Sequence, residues 1–321
     1  MSSGGPRIQA RVADVIPVNA LIKTFRFEPA DGSPVPPFSG GSHIVVEMND
    51  NGTRRLNPYS LMSDPSDTRG YSISVRRDDF GRGGSLYMHN HVTPGMEMTI
   101  SYPVNLFPED ARARKHLLIA GGIGITPFIA HMARMDQRNA SFELHYAVQS
   151  RSLGQFGDEL KRSYDSRVHL YYDDENIRID LPRLLRGQPL GTHVYVCGPK
   201  GMINAVHEIA AQAGWPRGAV HSEEFLAPPV GNPFSVELAR SGITVEVAAV
   251  QSLLEAIEAA GVDPPYLCRG GACGQCECDV LDCVGDIEHN DHWLTPEQRA
   301  SRKKIMPCVS RFTGERLVLD L

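Results

Sequence analysis

Cys268, Cys273, Cys276 and Cys308 are the residues of this chain best equipped for chemistry. Three stand in Tyr266-Leu-Cys268-Arg-Gly-Gly-Ala-Cys273-Gly-Gln-Cys276, and the fourth follows after thirty-one intervening residues, in Met306-Pro-Cys308. This C-x4-C-x2-C…C spacing suits a [2Fe–2S] cluster. Each of its two irons takes two thiolate sulfurs, so three ligands share one tight loop and the fourth comes from elsewhere in the fold. Gly270, Gly271 and Gly274 let the loop wrap closely, with N–H groups free to face sulfur. A structural zinc would want paired C-x2-C knuckles or Cys/His pairs, which are missing here. A disulfide framework fits poorly with an odd count of seven cysteines and no apolar leader.

Three glycine-bearing stretches come next. Gly121-Gly-Ile-Gly-Ile-Thr-Pro127 follows the apolar run His116–Ala120 and precedes an apolar-periodic helix. Thr126 is expected as its N-cap and Pro127 as its first residue, leaving free N–H groups for a pyrophosphate. The stretch departs from G-x-G-x-x-G, and a tight structural turn is the competing reading. Cys197-Gly198-Pro199 ends a later strand, at the sheet edge where open α/β folds bind ligands. Paired with Gly121–Pro127 it reads as a nicotinamide pocket. Upstream, Gly81-Arg82-Gly83-Gly84-Ser85 combines an arginine, glycines and a helix start, which suits a terminal phosphate. Asn57-Pro58-Tyr59-Ser60-Leu61 precedes it.

Three rhythms position these residues. Arg7–Val15, Ile22–Glu28, His43–Met48, Tyr59–Ser63, Tyr71–Arg76 and Glu97–Tyr102 read as short strands divided by Asp-Gly, Pro-Pro and Pro-Gly turns, with one helix at Ser85–Val92. That pattern predicts a small antiparallel β-barrel over residues 1–111. Residues 112–226 alternate strands at His116–Ala120, Phe142–Val148, Val168–Tyr172, His193–Cys197 and Val220–Phe225 with helices, the signature of a doubly wound α/β domain. A Pro/Gly-rich linker is expected at 227–233. A third, α+β domain then runs over 234–321, with a hairpin, a helix capped by Ser252 and Glu255 and ended by Gly261, and the cysteine loop. The fold class is therefore multidomain.

Composition is that of an ordinary globular protein, 41% hydrophobic and 22% charged, with no apolar run long enough to span a membrane. A cytoplasmic location is expected, since reducing conditions keep thiolates free. From Phe234 onward there are 14 acidic and 8 basic residues, while the preceding segment is neutral. The whole net charge of −6 thus sits on the cysteine-bearing segment. That argues against nucleic acid as a ligand and for a partner steered electrostatically to this segment.

The combination resembles the ferredoxin–NADP reductase superfamily, and within it the phthalate dioxygenase reductase family of Rieske oxygenase reductases. The resemblance runs from end to end: flavin barrel, nicotinamide domain, C-terminal plant-type ferredoxin with a β-grasp-like fold. It implies that Tyr59 and Ser60 contact the isoalloxazine and ribityl chain of FMN, Ser60 near N5. Ile73, Ser74, Val75 and Arg76 would line the ring's other edge, and Arg82, Gly83, Gly84 and Ser85 would bind phosphate. Gly121, Gly122, Gly124, Thr126, Pro127, Cys197, Gly198 and Pro199 would receive NADH, and Phe225 would shield the flavin face until nicotinamide displaces it. Ser60 and Phe225 are thus the implied catalytic residues. Where the family pattern has Arg, this chain has Asn57, so Arg55 and Arg82 are the candidates to replace that charge and FAD stays open beside FMN. Asp173, after the third strand of the α/β domain, could hold ribose hydroxyls and favours NADH over NADPH. Arg151 points the other way.

A hydride carries two electrons and a [2Fe–2S] cluster accepts one, so a flavin must stand between them. Electrons would leave singly near Arg269, Gly270 and Ala272 for a Rieske-type terminal oxygenase. The alternatives are an FAD-containing reductase of a diiron or haem oxygenase, a stand-alone ferredoxin-type carrier, and a zinc-bearing interaction protein. Cys278 and Cys283 fall outside the ligand spacing and read as packing residues. The histidines lack metal-ligand spacing, and Met132 and Met135 fit the packed side of a helix.

Overall fold

In the computed structural model, which describes residues 5–50 and 52–321, three β-sheets follow one another along the chain. The first comprises β1 (Arg7–Pro17), β2 (Ile22–Pro29), β3 (Ser42–Asp50), β4 (Thr53–Ser60), β5 (Tyr71–Arg76), β6 (Glu97–Ser101) and the short β7 (Val104–Asn105). Its order is β4-β3-β6-β1-β2-β5, with β7 on β3, and every pair is antiparallel. The two ends meet through a single bridge between Leu61 and Ile73, which closes the sheet at that point and leaves β4 itself an edge strand laddered on β3. Period-two alternation fills the interior with Phe25, Phe27, Ile44, Val46 and Ile73, all shut from solvent. One strand differs from the expectation: β4 begins at Thr53 and ends at Ser60, rather than spanning Tyr59–Ser63. Its Thr-Arg-Arg-Leu-Asn-Pro sequence hides the strand, but an edge position tolerates both the charges and Pro58. Helix α1 (Gly84–His91) packs on this sheet.

The second sheet holds β8 (Lys115–Gly121), β9 (Phe142–Val148), β10 (Val168–Tyr172), β11 (Thr192–Cys197) and β12 (Val220–Glu223), in the order β10-β9-β8-β11-β12 and parallel throughout. Alternate residues of β8 serve opposite layers. Leu118 and Ala120 pack with α2 (Thr126–Gln137) and α3 (Gln155–Tyr164), while Leu117 and Ile119 pack with α4 (Leu181–Arg186) and α5 (Lys200–Gln212). The sheet is thus doubly wound, and the strand order reverses between β8 and β11. Thr126 does not cap α2. It has helical dihedrals and its hydroxyl donates to the Ile123 carbonyl at 3.0 Å. A 3-10 turn at Gly122–Ile125 runs into the helix instead, which moves the free amide groups one turn upstream.

The third sheet contains β13 (Phe234–Leu238), β14 (Ile243–Val247), β15 (Cys278–Glu288), β16 (Lys304–Ile305) and β17 (Arg311–Leu319), ordered β14-β13-β17-β15-β16. Helix α6 (Leu253–Ala259) packs Leu253 and Ile257 onto it. The Ser252–Glu255 capping box is formed in both directions, and Gly261 follows with φ +85°. A second box, Thr295 with Gln298, starts α7 (Pro296–Ser301). Among the described residues, no helix is long and apolar enough to cross a membrane.

Candidate functional site

The three sheets converge on a cavity of about 640 Å³. Tyr59, Ser60, Ser74 and Arg76 reach it from the barrel, Thr126 and Phe225 from the α/β domain, and Cys268, Gly270 and Ala272 from the cysteine loop. Strand periodicity divides the expected β5 set. Ser74 and Arg76 face the cavity, whereas the Ile73 and Val75 side chains point into the barrel core and are 0% and 1% exposed. Those two side chains therefore cannot line the site. Burial pushes the Tyr59 phenol up to about 12, partly offset by a hydrogen bond from Asn57 Nδ2 at 3.3 Å. Ser60 is buried at the cavity wall.

At one end lies the Gly81–Ser85 loop. Gly83 precedes α1 with φ +96°, and no side chain caps that helix, so its first amide groups are open to an anion. The approach is close enough to require glycine: a Cβ on Gly84 would stand 2.3 Å from Asn57 Nδ2. Asn57 thus packs against the start of α1, in a cradle that suits a phosphate group. Arg82 is held from another domain, Nη1 donating to Glu255 Oε2 at 2.6 Å, with both side chains nearly buried.

At the switch point, Gly121 and Gly124 pack directly on the Cys197–Pro199 turn. A Cβ on Gly124 would meet the Cys197 carbonyl oxygen at 2.3 Å, and one on Gly121 would meet Pro199 Cδ at 2.6 Å. The structure therefore joins the two stretches that the sequence paired. Burial holds the Cys197 thiol protonated, with its pKa well above normal. Phe225 follows β12 on the cavity wall and is 47% exposed. Asp173 is exposed just after β10 and pairs with Arg178 at 3.5 Å. Arg151 is bound to Glu175, Nε to Oε1 at 2.5 Å, and lies over the Tyr172 ring.

Glu223 escaped sequence reading. It lines the cavity two residues before Phe225, and its Oε2 is shut from solvent without a hydrogen bond. Burial raises its carboxyl pKa to about 8. Nothing in the sequence marks it, because its environment is assembled from remote segments. Ile203 and His207 of α5 reach the same wall unannounced.

The cysteine loop is braced on all sides. Arg269, at φ +52°, stacks its guanidinium on Tyr266 at 3.8 Å and pairs with Glu258 of α6. The Tyr266 hydroxyl accepts from Arg7 Nη2 of β1 at 3.2 Å, tying the loop to the barrel. Gly271 and Gly274 have φ of +71° and +76°, and Trp293 covers Gly274. The Cys268 sulfur is favoured as thiolate, its pKa drawn down to about 5 by the Cys273 thiol and by amides of the loop, Gly270 N–H among them at 3.3 Å. Cys276 and Cys308 likewise share a hydrogen bond, which lowers the first and raises the second. Four sulfurs paired in this way, with amides aimed at them, are a donor set that fits a [2Fe–2S] cluster. Cys278 lies in the core of the third sheet and Cys283 packs beside it, and all seven cysteines are free of disulfides.

Comparison with known proteins agrees. Residues 236–313 match the 2Fe-2S iron-sulfur cluster binding domain, and residues 101–220 match the N-terminal domain of the dimethylamine monooxygenase subunit DmmA-like family. The chain is 48% identical to the heme-dependent oxidative N-demethylase beta subunit of Ectopseudomonas mendocina, covering 98% of this chain and 99% of that one. It is 44% identical to the carnitine monooxygenase reductase subunit of Acinetobacter baumannii, over 98% of each. The solved structure of phthalate dioxygenase reductase, a modular structure for electron transfer from pyridine nucleotides to [2Fe–2S], superposes with a TM-score of 0.87 at 34% identity, again over 98% of each chain. With fold, cysteine loop and full-length similarity in agreement, this chain belongs to the phthalate dioxygenase reductase family of electron-transfer oxidoreductases.

Proposed function

We propose that the chain is the reductase subunit of a multicomponent oxygenase, taking electrons from NADH and delivering them through FMN and a [2Fe–2S] cluster to a separate oxygenase protein. The observation that carries this reading is the shared cavity. The glycine-rich phosphate cradle, Phe225 and the Cys268–Ala272 loop all reach one space, so donor, relay and exit lie within a short path. A bound flavin accepts a hydride's electron pair and releases electrons one at a time, which is the conversion the cluster needs.

The chain's own part is to bind and orient. Tyr59, Ser60, Ser74 and Arg76 would hold the ring and ribityl chain, with Arg82, Gly83, Gly84 and Ser85 at the phosphate. Gly121–Pro127 and Cys197–Pro199 would seat the nicotinamide nucleotide, and Phe225 would cover the flavin face. The single phosphate cradle suits FMN better than FAD. Asp173 would serve the ribose hydroxyls, and the Arg151–Glu175 pair supports NADH, because the guanidinium that could greet a 2′-phosphate is already neutralised. Cys268, Cys273, Cys276 and Cys308 would ligate the cluster. The cytoplasm, with its reducing poise, suits these free cysteines.

The terminal oxygenase is read first as Rieske-type, from the resemblance of the whole chain. A haem oxygenase is the second reading, favoured by the 48% relative, whose name is heme-dependent. The names of the demethylase, carnitine and dimethylamine proteins share methylated nitrogen, so an N-methylated amine is the proposed substrate of that partner. Anaerobic titration of the cofactor-loaded chain with NADH tests the relay. Uptake of three electrons per chain is expected, two at the flavin and one at the cluster, and uptake of none overturns it. Mixing the reduced chain with a Rieske or a haem N-demethylating oxygenase then separates the two partners by which chromophore is reduced.

A further inference from the structure

We infer that Arg55 is the positioning cation of the phosphate cradle, holding the charge that Asn57 lacks. Residues 55, 57 and 59 alternate onto one face of β4, so Arg55 projects beside Asn57 toward the glycine turn. Its guanidinium lies against Gly83: a Cβ there would stand 3.4 Å from Nη2 and 3.6 Å from Cζ and Nε. Gly83 is the residue before α1, and the helix offers its uncapped amides at that point. Arg55 is 9% exposed, and its Nε is buried with no hydrogen bond. Asp50 is its ion-pair partner at 3.6 Å, beyond hydrogen-bond reach. A buried guanidinium this poorly matched, next to the open end of a helix, favours a further anion. Arg82 is less suited to the task, since its charge is already met by Glu255 at 2.6 Å.

The inference rests on the reading of Gly81–Ser85 as the FMN phosphate cradle, and it predicts a phosphate-specific effect. Riboflavin carries the same ring and ribityl chain without the phosphate, so comparing it with FMN isolates the charge. The full-length chain, stripped of flavin, is titrated with each and quenching of flavin fluorescence gives the affinities. The wild type should prefer FMN. Arg55→Gln should lose about tenfold or more of that preference, with riboflavin binding unchanged, and Arg55→Lys should retain part of it. Full FMN preference in Arg55→Gln overturns the inference and leaves the cradle reading intact. Equal losses in the Lys and Gln variants would assign the effect to packing on Gly83, and would overturn it as well. A wild type that does not prefer FMN removes the cradle reading, and the inference falls with it.

Discussion

Arg82 of the barrel and Glu255 of the ferredoxin domain form a nearly buried ion pair 173 residues apart in sequence, Nη1 to Oε2 at 2.6 Å. The same Glu255 oxygen accepts the Ser252 N–H at 2.8 Å, so the carboxylate that starts α6 also fastens the phosphate loop. Removing one member of a buried pair strands the other and costs ~3–5 kcal/mol. Glu255→Gln separates the two roles, because glutamine can complete a capping box, as Gln298 does with Thr295. The variant should keep its cluster absorbance but expose residues 227–233, seen as roughly tenfold faster cleavage in limited proteolysis. Unchanged cleavage would show that the pair does not hold the domains together.

Gly274 lies beneath Trp293, whose indole donates to Glu277 at 2.9 Å and is fixed there. A Cβ on Gly274 would meet the ring at 2.3 Å, in a backbone conformation with φ +76°. Gly274→Ala should therefore lower cluster occupancy, measured as iron per chain. Adding Trp293→Ala should recover part of it, leaving only the left-handed backbone penalty of ~1–2 kcal/mol.

Cys276→Ser removes one of the four sulfurs while touching nothing in the barrel. Reduction of cytochrome c by NADH should be abolished, and reduction of ferricyanide, which needs only the flavin, should persist. Survival of both activities would place the cluster off the electron path.

Glu223 gives the flavin-free chain a distinctive pH dependence. Its folded pKa near 8 lies above the ordinary 4.5, so the folded state holds a proton that the unfolded state gives up. Stability from this group is complete below about 4.5 and declines up to about 8, by as much as ~1.4 kcal/mol per pH unit. Glu223→Gln should flatten that decline, measured as melting temperature from pH 5 to 8. Parallel curves for the two proteins would mean that the carboxyl is ionised in the fold.

The cluster loop was legible because its chemistry is local: cysteine spacing and left-handed glycines are written in consecutive residues. The capping box at Ser252 was legible for the same reason. β4 was not, since an edge strand can carry Arg54, Arg55 and Pro58 without an apolar alternation. Thr126 misled because its residue type suits a cap, while the 3-10 turn before it continued the helix upstream. Glu223 and the Arg82–Glu255 pair owe their properties to remote neighbours, and no window of sequence contains those neighbours.

Because the cavity wall is shared among the barrel, the α/β domain and the cysteine loop, the three modules are not freely interchangeable. A ferredoxin module grafted from a relative would have to bring an acidic residue to the first turn of its helix. It would also need an aromatic to meet Arg7, as Tyr266 does. Inheritance of this architecture should therefore proceed by exchange of whole chains, with substitutions on the two sides of the joint changing together.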